Sequence, residues 1–100
     1  MMKRVWIGLV HLRPERGCEL IKENSFVQVV AFVKDAVEFS GEVKAAAEHY
    51  KMTVVGIEDL EPFEDRHRSH LVAAELKTKA EEAKETGYLR FGTFHSYRAE

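Results

Sequence analysis

Apolar residues in the first third of the chain follow the two-residue period of β-strands. Residues 4–13 and residues 26–34 each place apolar side chains on both faces of such a strand. This pattern is typical of strands that are covered by other elements on both sides. Residues 14–25, which join them, are longer than most hairpin connections. We therefore predict two buried strands joined by a long loop.

The rest of the chain alternates between helical and extended patterns. Asp35 followed by Glu38 is typical of a helix start, since an N-cap side chain and an acidic residue three positions later often occur together. The helix could instead begin at Ser40, with that residue as its cap. The predicted elements are a helix over residues 36–51, a strand over residues 52–60, a second helix between Pro62 and Gly87, and a last strand over residues 88–97.

The order β-β-α-β-α-β predicts one α+β domain over residues 1–100, with a mixed four-stranded sheet and two helices. Each strand-helix-strand unit is expected to make a right-handed crossover between parallel strands. The first strand should run antiparallel to the others and lie between the second and third. The size and layering resemble those of ferredoxin-like sandwiches, but the order of elements differs. The resemblance therefore implies nothing about function.

The predicted order does not determine how the two helices cover the two faces of this sheet. If they share one face, an apolar sheet surface remains for a second subunit, a protein partner or a ligand, because exposed apolar patches usually mark such sites. If they lie on opposite faces, the long loop can close the remaining gap. The sequence is compatible with both arrangements.

Composition and charge narrow the possible partners. The chain has 15 basic and 17 acidic side chains and a net charge of −2, so neither nucleic acid nor an anionic membrane surface is expected. Its longest apolar stretch, residues 5–10, is far shorter than the ~20 residues that span a bilayer, and no signal peptide is recognisable. The single cysteine, Cys18, agrees with a reducing compartment. We expect a soluble, cytoplasmic protein.

No motif for a cofactor or a metal is convincing. The six glycines are scattered, without a nucleotide-binding pattern, so no cofactor is expected. Glu64, His67 and His70 have a spacing that could offer three ligands to a divalent metal. The mixed charges around them are more typical of an exposed loop and a helix start, and we predict no metal site.

Histidines and acidic residues near the strand ends are the best candidates for chemistry. In the predicted topology, His11 and His95 lie at opposite edges of the sheet and cannot act together. His95 instead lies toward the strand ends that carry Glu58 and Asp59, where sites on parallel sheets often gather. A carboxylate beside a histidine is a minimal acid–base pair. We name His95, Asp59 and Glu58 as catalytic candidates, and Arg90 with His95 as ligand-binding candidates.

Two classes of function follow from these observations. The first is a small interaction or binding module that forms a homodimer or docks on a protein partner. It is favoured because strands with two apolar faces in so short a chain need cover and no catalytic motif is recognisable. The alternative is a small-ligand sensor or an enzyme with its site around Asp59 and His95. The sequence does not establish whether the protein is an enzyme.

Overall fold

The helices and strands follow the predicted order, with one additional helix and a divided last strand. The computed structural model describes residues 2–69 and 72–97. The described elements are β1 (Arg4–Pro14), β2 (Ser25–Val33), α1 (Ala36–His49), β3 (Met52–Pro62), α2 (Phe63–Ser69), α3 (Ala74–Thr86), β4 (Arg90–Phe91) and β5 (His95–Ser96). The predicted α+β class is confirmed.

The ends of the two longer helices are fixed by the residues that the sequence indicates. The Asp35 side chain accepts a hydrogen bond from the backbone N–H of Glu38 at 2.9 Å, which caps the start of α1. Gly87 ends α3 in the left-handed conformation at φ 78°, which glycine adopts without a steric penalty. Both predicted helix ends are confirmed.

The sheet has the strand order β3-β1-β2-β4, and β5 also pairs with β2. As predicted, β1 lies between β2 and β3 and is antiparallel to both. The sheet differs from the expected mixed one because β4 and β5 are also antiparallel to β2. The physical reason is that β3 and β4 are joined by two helices. A single helix would carry the chain to the far end of the sheet, whereas two return it to the end where β3 finishes.

The two longer helices pack on opposite faces of the sheet. Phe39 and Val43 of α1 pack with Val29 and other inward residues of one face, here called the α1 face. Ala83 of α3 packs with Ile7 and Val30 of the other face, here called the α3 face. Both strands of the central pair are therefore covered on both sides, which explains their two apolar faces.

The long loop between β1 and β2 completes the core of the α1 face. Cys18 and Ile21 are buried there against the strands and α1. Of the two arrangements that the sequence allows, the structure has helices on opposite faces and the loop as additional cover.

The edge strand β3 contains a β-bulge that determines which of its side chains face α3. Ile7 pairs with Glu61, but Leu9 pairs with Glu58, so β3 has one more residue than β1 between these pairs. Asp59 lies within this bulge at φ 52°, a left-handed conformation that aspartate tolerates better than most residues. Because side chains alternate along a strand, Glu58 and Glu61 would otherwise lie on opposite faces. The bulge places both on the α3 face.

Candidate functional site

A cleft of about 450 Å³ lies on the α3 face, between the sheet and the start of α3. Its apolar walls are formed by Ile7 of β1, by Val72 just before α3, and by Leu76 of α3. The volume falls within the ~300–1,000 Å³ range of small-molecule sites, which are mostly apolar with a few placed polar groups. The cleft therefore has the size of a ligand site, and its lining is divided between apolar and polar residues.

Gln28 supplies a polar group on the sheet side of this cleft. It pairs with Leu9 across the central strands, and its side-chain Oε1 is buried. Within the described chain, no group donates a hydrogen bond to this oxygen. A buried acceptor without a donor costs about 1–3 kcal/mol. Such a group in a cleft is what a ligand carrying a donor would satisfy.

Among the described residues, three charged ones also line the cleft. Arg66 Nε lies 3.2 Å from Glu61 Oε2, and the arginine side chain is only 12% exposed. Arg66 also donates a hydrogen bond from Nη2 to the backbone carbonyl of Asp59. The arginine therefore ties α2 to the bulge of β3. Asp59 and Glu61 together outweigh Arg66 by one negative charge.

Beyond the cleft, the same face carries a cluster of histidine and aromatic rings. His11 Nε2 lies 3.0 Å from Glu58 Oε2, with the histidine side chain 27% exposed. Phe26 pairs with His11 on one side and with His95 on the other. The Phe26 and His95 rings stack at 5.3 Å between centroids, and Tyr97 lies 5.9 Å from His11. The residues His11, Phe26, His95 and Tyr97 form the ring cluster.

The expectation that His11 and His95 lie at opposite edges of the sheet is wrong. Both flank Phe26, with the His11 ring centroid 6.1 Å and the His95 ring centroid 5.3 Å from that of the phenylalanine. The error follows from the direction of the last strand. Because β5 is antiparallel to β2, it brings His95 to the start of β2 rather than to its end.

The structure separates the candidates that the sequence groups together. Glu58 forms a pair with His11, Asp59 lines the cleft, and His95 stacks on Phe26. In the described part of the chain, no hydrogen bond or ion pair joins His95 to either carboxylate. Arg90 lies 3.7 Å from Glu82 of α3 and lines a different groove at the sheet edge. The carboxylate–histidine pair that the structure shows is His11–Glu58.

The described residues of the segment that contains Glu64, His67 and His70 form no metal site. The His67 ring lies 6.2 Å from the ring of Phe63, and His70 lies outside the described residues. Among residues 2–69 and 72–97, no group of three or more histidine, cysteine, aspartate or glutamate side chains is arranged to hold a metal ion. No helix of these residues is long and apolar enough to cross a membrane.

A second groove, of about 760 Å³, lies along the edge strand β4 between α1 and α3. Tyr50 and Tyr88 line it and are 44% and 73% exposed. Glu42 also lines it, and partial burial, followed by the nearby negative charge of Glu38, raises the pKa of the Glu42 carboxyl. This edge groove presents aromatic surface to the solvent.

Gln28, Glu61 and Arg66 are the polar residues of the described lining that the sequence does not single out. A signal for Gln28 exists, since it is the one polar residue between Ser25 and Lys34. Arg66 lies in a segment of mixed charges, where nothing distinguishes it from Arg68. Comparison of the chain with known protein families, with curated proteins and with solved structures finds no match.

Proposed function

We propose that the protein binds a small organic molecule in the cleft at the start of α3. The observation that carries this proposal is Gln28, which lines the partly apolar cleft and whose buried Oε1 has no donor from the described chain. Natural proteins pair nearly all buried polar groups, so an exception calls for an explanation such as a ligand. A bound molecule with an N–H or O–H group would supply the missing donor.

The arrangement of the layers favours this function over an interaction module that covers a bare sheet face. That expectation rested on apolar strand faces without enough helices to cover them. The helices α1 and α3 pack on opposite faces, and the loop residues Cys18 and Ile21 add further cover. Little apolar sheet surface is then left for a partner, whereas the cleft beside α3 stays open.

Replacing Gln28 with leucine tests the proposal, because it removes the unpaired acceptor. We expect Gln28→Leu to raise the stability of the free protein by about 1 kcal/mol, or about 4–8 °C in Tm. Native mass spectra of protein purified gently from its expression host should show an additional small-molecule mass on the wild type. The same mass should be absent from Gln28→Leu.

Ser96→Leu is the matched control, since it also replaces a polar strand residue with leucine but lies outside the cleft lining. It should keep the additional mass. A Gln28→Leu protein that loses stability would contradict the unpaired state of the glutamine. A wild type that carries no small molecule, together with a Gln28→Leu variant of unchanged Tm, would rule out the proposed function.

Self-association through the edge groove is a second candidate function, and the exposed rings of Tyr50 and Tyr88 favour it. Aromatic side chains are enriched in protein interfaces. In sedimentation velocity, we expect the wild type to shift toward a dimer as its concentration rises and Tyr88→Lys to remain a monomer. A wild type that is monomeric at every concentration would exclude this homodimer.

The cytoplasm remains the compartment that we propose. Cys18 is the single cysteine, and its thiol is free and buried. A chain that gains no stability from disulfides suits a reducing compartment.

A further inference from the structure

We propose that the ligand of the cleft is a small organic cation, an amine or amidine on a short apolar body. This inference rests on the proposed function and adds the chemical class of the ligand. It follows from the charge of the cleft, the kind of hydrogen-bonding groups that line it and the shape of its apolar part.

The charge of the lining favours a ligand with one positive charge. Asp59 and Glu61 contribute two carboxylates, and Arg66 contributes one guanidinium. Arg66 is paired with Glu61 at 3.2 Å and bonds the carbonyl of Asp59, so its charge is directed toward the bulge of β3. Asp59 is exposed, and a monocation beside its carboxylate balances the net charge of the described lining residues.

The hydrogen-bonding groups also favour a ligand that donates. Gln28 Oε1 is an acceptor without a donor in the described chain, and the carboxylate of Asp59 can only accept when ionised. An amine or an amidine carries several N–H donors and no acceptor in its charged form. Hydrogen bonds with ionised groups are about twice as strong as neutral ones, so the carboxylate of Asp59 favours a charged donor.

The apolar walls of the cleft indicate the chemistry of the uncharged part of the ligand. Ile7, Val72 and Leu76 line the cleft beside these polar groups. A hydrocarbon chain or ring placed against them would gain about 25 cal/mol per Å² of apolar surface removed from water. The ligand is therefore expected to have a charged end and an apolar end.

An anion is the competing chemistry, since α3 begins at this cleft without a side-chain cap. The uncapped N–H groups of a helix start attract negative charge. However, Asp59 and Glu61 would repel an anion, and Arg66, the one cation among the described lining residues, already lies against Glu61. We therefore argue for the cation and leave the anion as an outcome of the test.

Two matched sets of compounds test the charge of the ligand at constant shape. Benzamidine, benzamide and benzoate share one ring, and butylamine, butanol and butyrate share one chain. Each is titrated into the protein, with binding followed by the amide shifts of the cleft residues in NMR spectra. We expect a cation of at least one set to bind about tenfold more tightly than its neutral and anionic counterparts, the size of one charge-assisted hydrogen bond.

Asp59→Asn is the variant that separates charge from structure. Asparagine also tolerates the left-handed conformation at φ 52°, so the bulge is preserved while the charge is removed. We expect this variant to bind the cation about tenfold more weakly. Asp65→Asn on α2 is the control, because it removes one carboxylate from outside the cleft lining. Its affinity should match that of the wild type.

The outcomes distinguish this inference from the proposed function. Preferred binding of benzoate or butyrate, or of the neutral compounds, would overturn the cation and leave the cleft as a ligand site. Equal loss of affinity in Asp59→Asn and Asp65→Asn would also overturn it, because the charge of the cleft would then have no specific role. If no compound binds, the cation is rejected, and the mass spectra of the host-purified protein decide the proposed function separately.

Discussion

Gly8→Val is expected to destabilise the protein by about 3 kcal/mol, the upper part of the usual cost of overpacking a core. A Cβ atom at Gly8 would lie 3.2 Å from Leu60 Cδ1 and 3.3 Å from both Ile57 Cγ2 and Phe39 Cε1. These neighbours belong to β3 and to α1, so no single side chain can move to make room. Urea unfolding followed by the fluorescence of Trp6, the single tryptophan, measures the effect.

Gly56→Val is the matched control, because Gly56 also lies in a strand but a Cβ atom there would meet nothing within 4 Å. Its stability should stay the same or rise, since valine favours strands more than glycine does. Phe39→Leu replaces the α1 side chain that contacts residue 8 with a smaller one. Combined with Gly8→Val, it should recover part of the lost free energy of unfolding. Equal effects of Gly8→Val and Gly56→Val would contradict close packing of α1 over Gly8.

The layers and most of the element order could be predicted because they depend on local patterns. The two-faced apolar strands, the cap at Asp35 and the glycine at residue 87 are each encoded by a few neighbouring residues. The position of β1 inside the sheet also follows from its two apolar faces. These features were correct because burial and helix capping act over short distances in the sequence.

The direction of the last strand could not be predicted, because it depends on how many helices precede it. Phe63–Ser69 forms α2 and Ala74–Thr86 forms α3, and the described residues Val72 and Ala73 before α3 are not helical. Periodicity alone does not show where a helical stretch is interrupted. This one difference moves His95 from the far end of the sheet to the ring of Phe26. It also explains why His11, rather than His95, has a carboxylate partner.

The faces on which the acidic residues of β3 lie depend on one more feature, which the period of the side chains does not reveal. Glu58 and Glu61 share a face only because β3 carries an additional residue between its pairs with Leu9 and Ile7. A strand pattern read with a strict period of two assigns them to opposite faces. The sequence thus indicates acidic residues near the end of β3 but not that they converge on the α3 side.

The backbone at Asp59 is the physical basis of this convergence, and Asp59→Val is expected to disrupt it. A β-branched residue at φ 52° is strained, and such strain costs about 1–3 kcal/mol. Asp59→Gly removes the strain and the charge together, so it should keep the stability of the wild type and lose affinity for the cation. Valine should lose both. Thermal unfolding and the same NMR titrations measure these two quantities in parallel.

Comparison of the glycine and valine variants separates the two roles of one residue. If Asp59 serves only to form the bulge, Asp59→Gly will bind the cation as the wild type does. If it serves only as a charge, Asp59→Val will be as stable as Asp59→Gly. The structure predicts neither result, because the left-handed backbone of Asp59 holds Glu58 and Glu61 on one face while the residue itself lines the cleft. The bulge and the charge of the cleft therefore depend on the same position in β3.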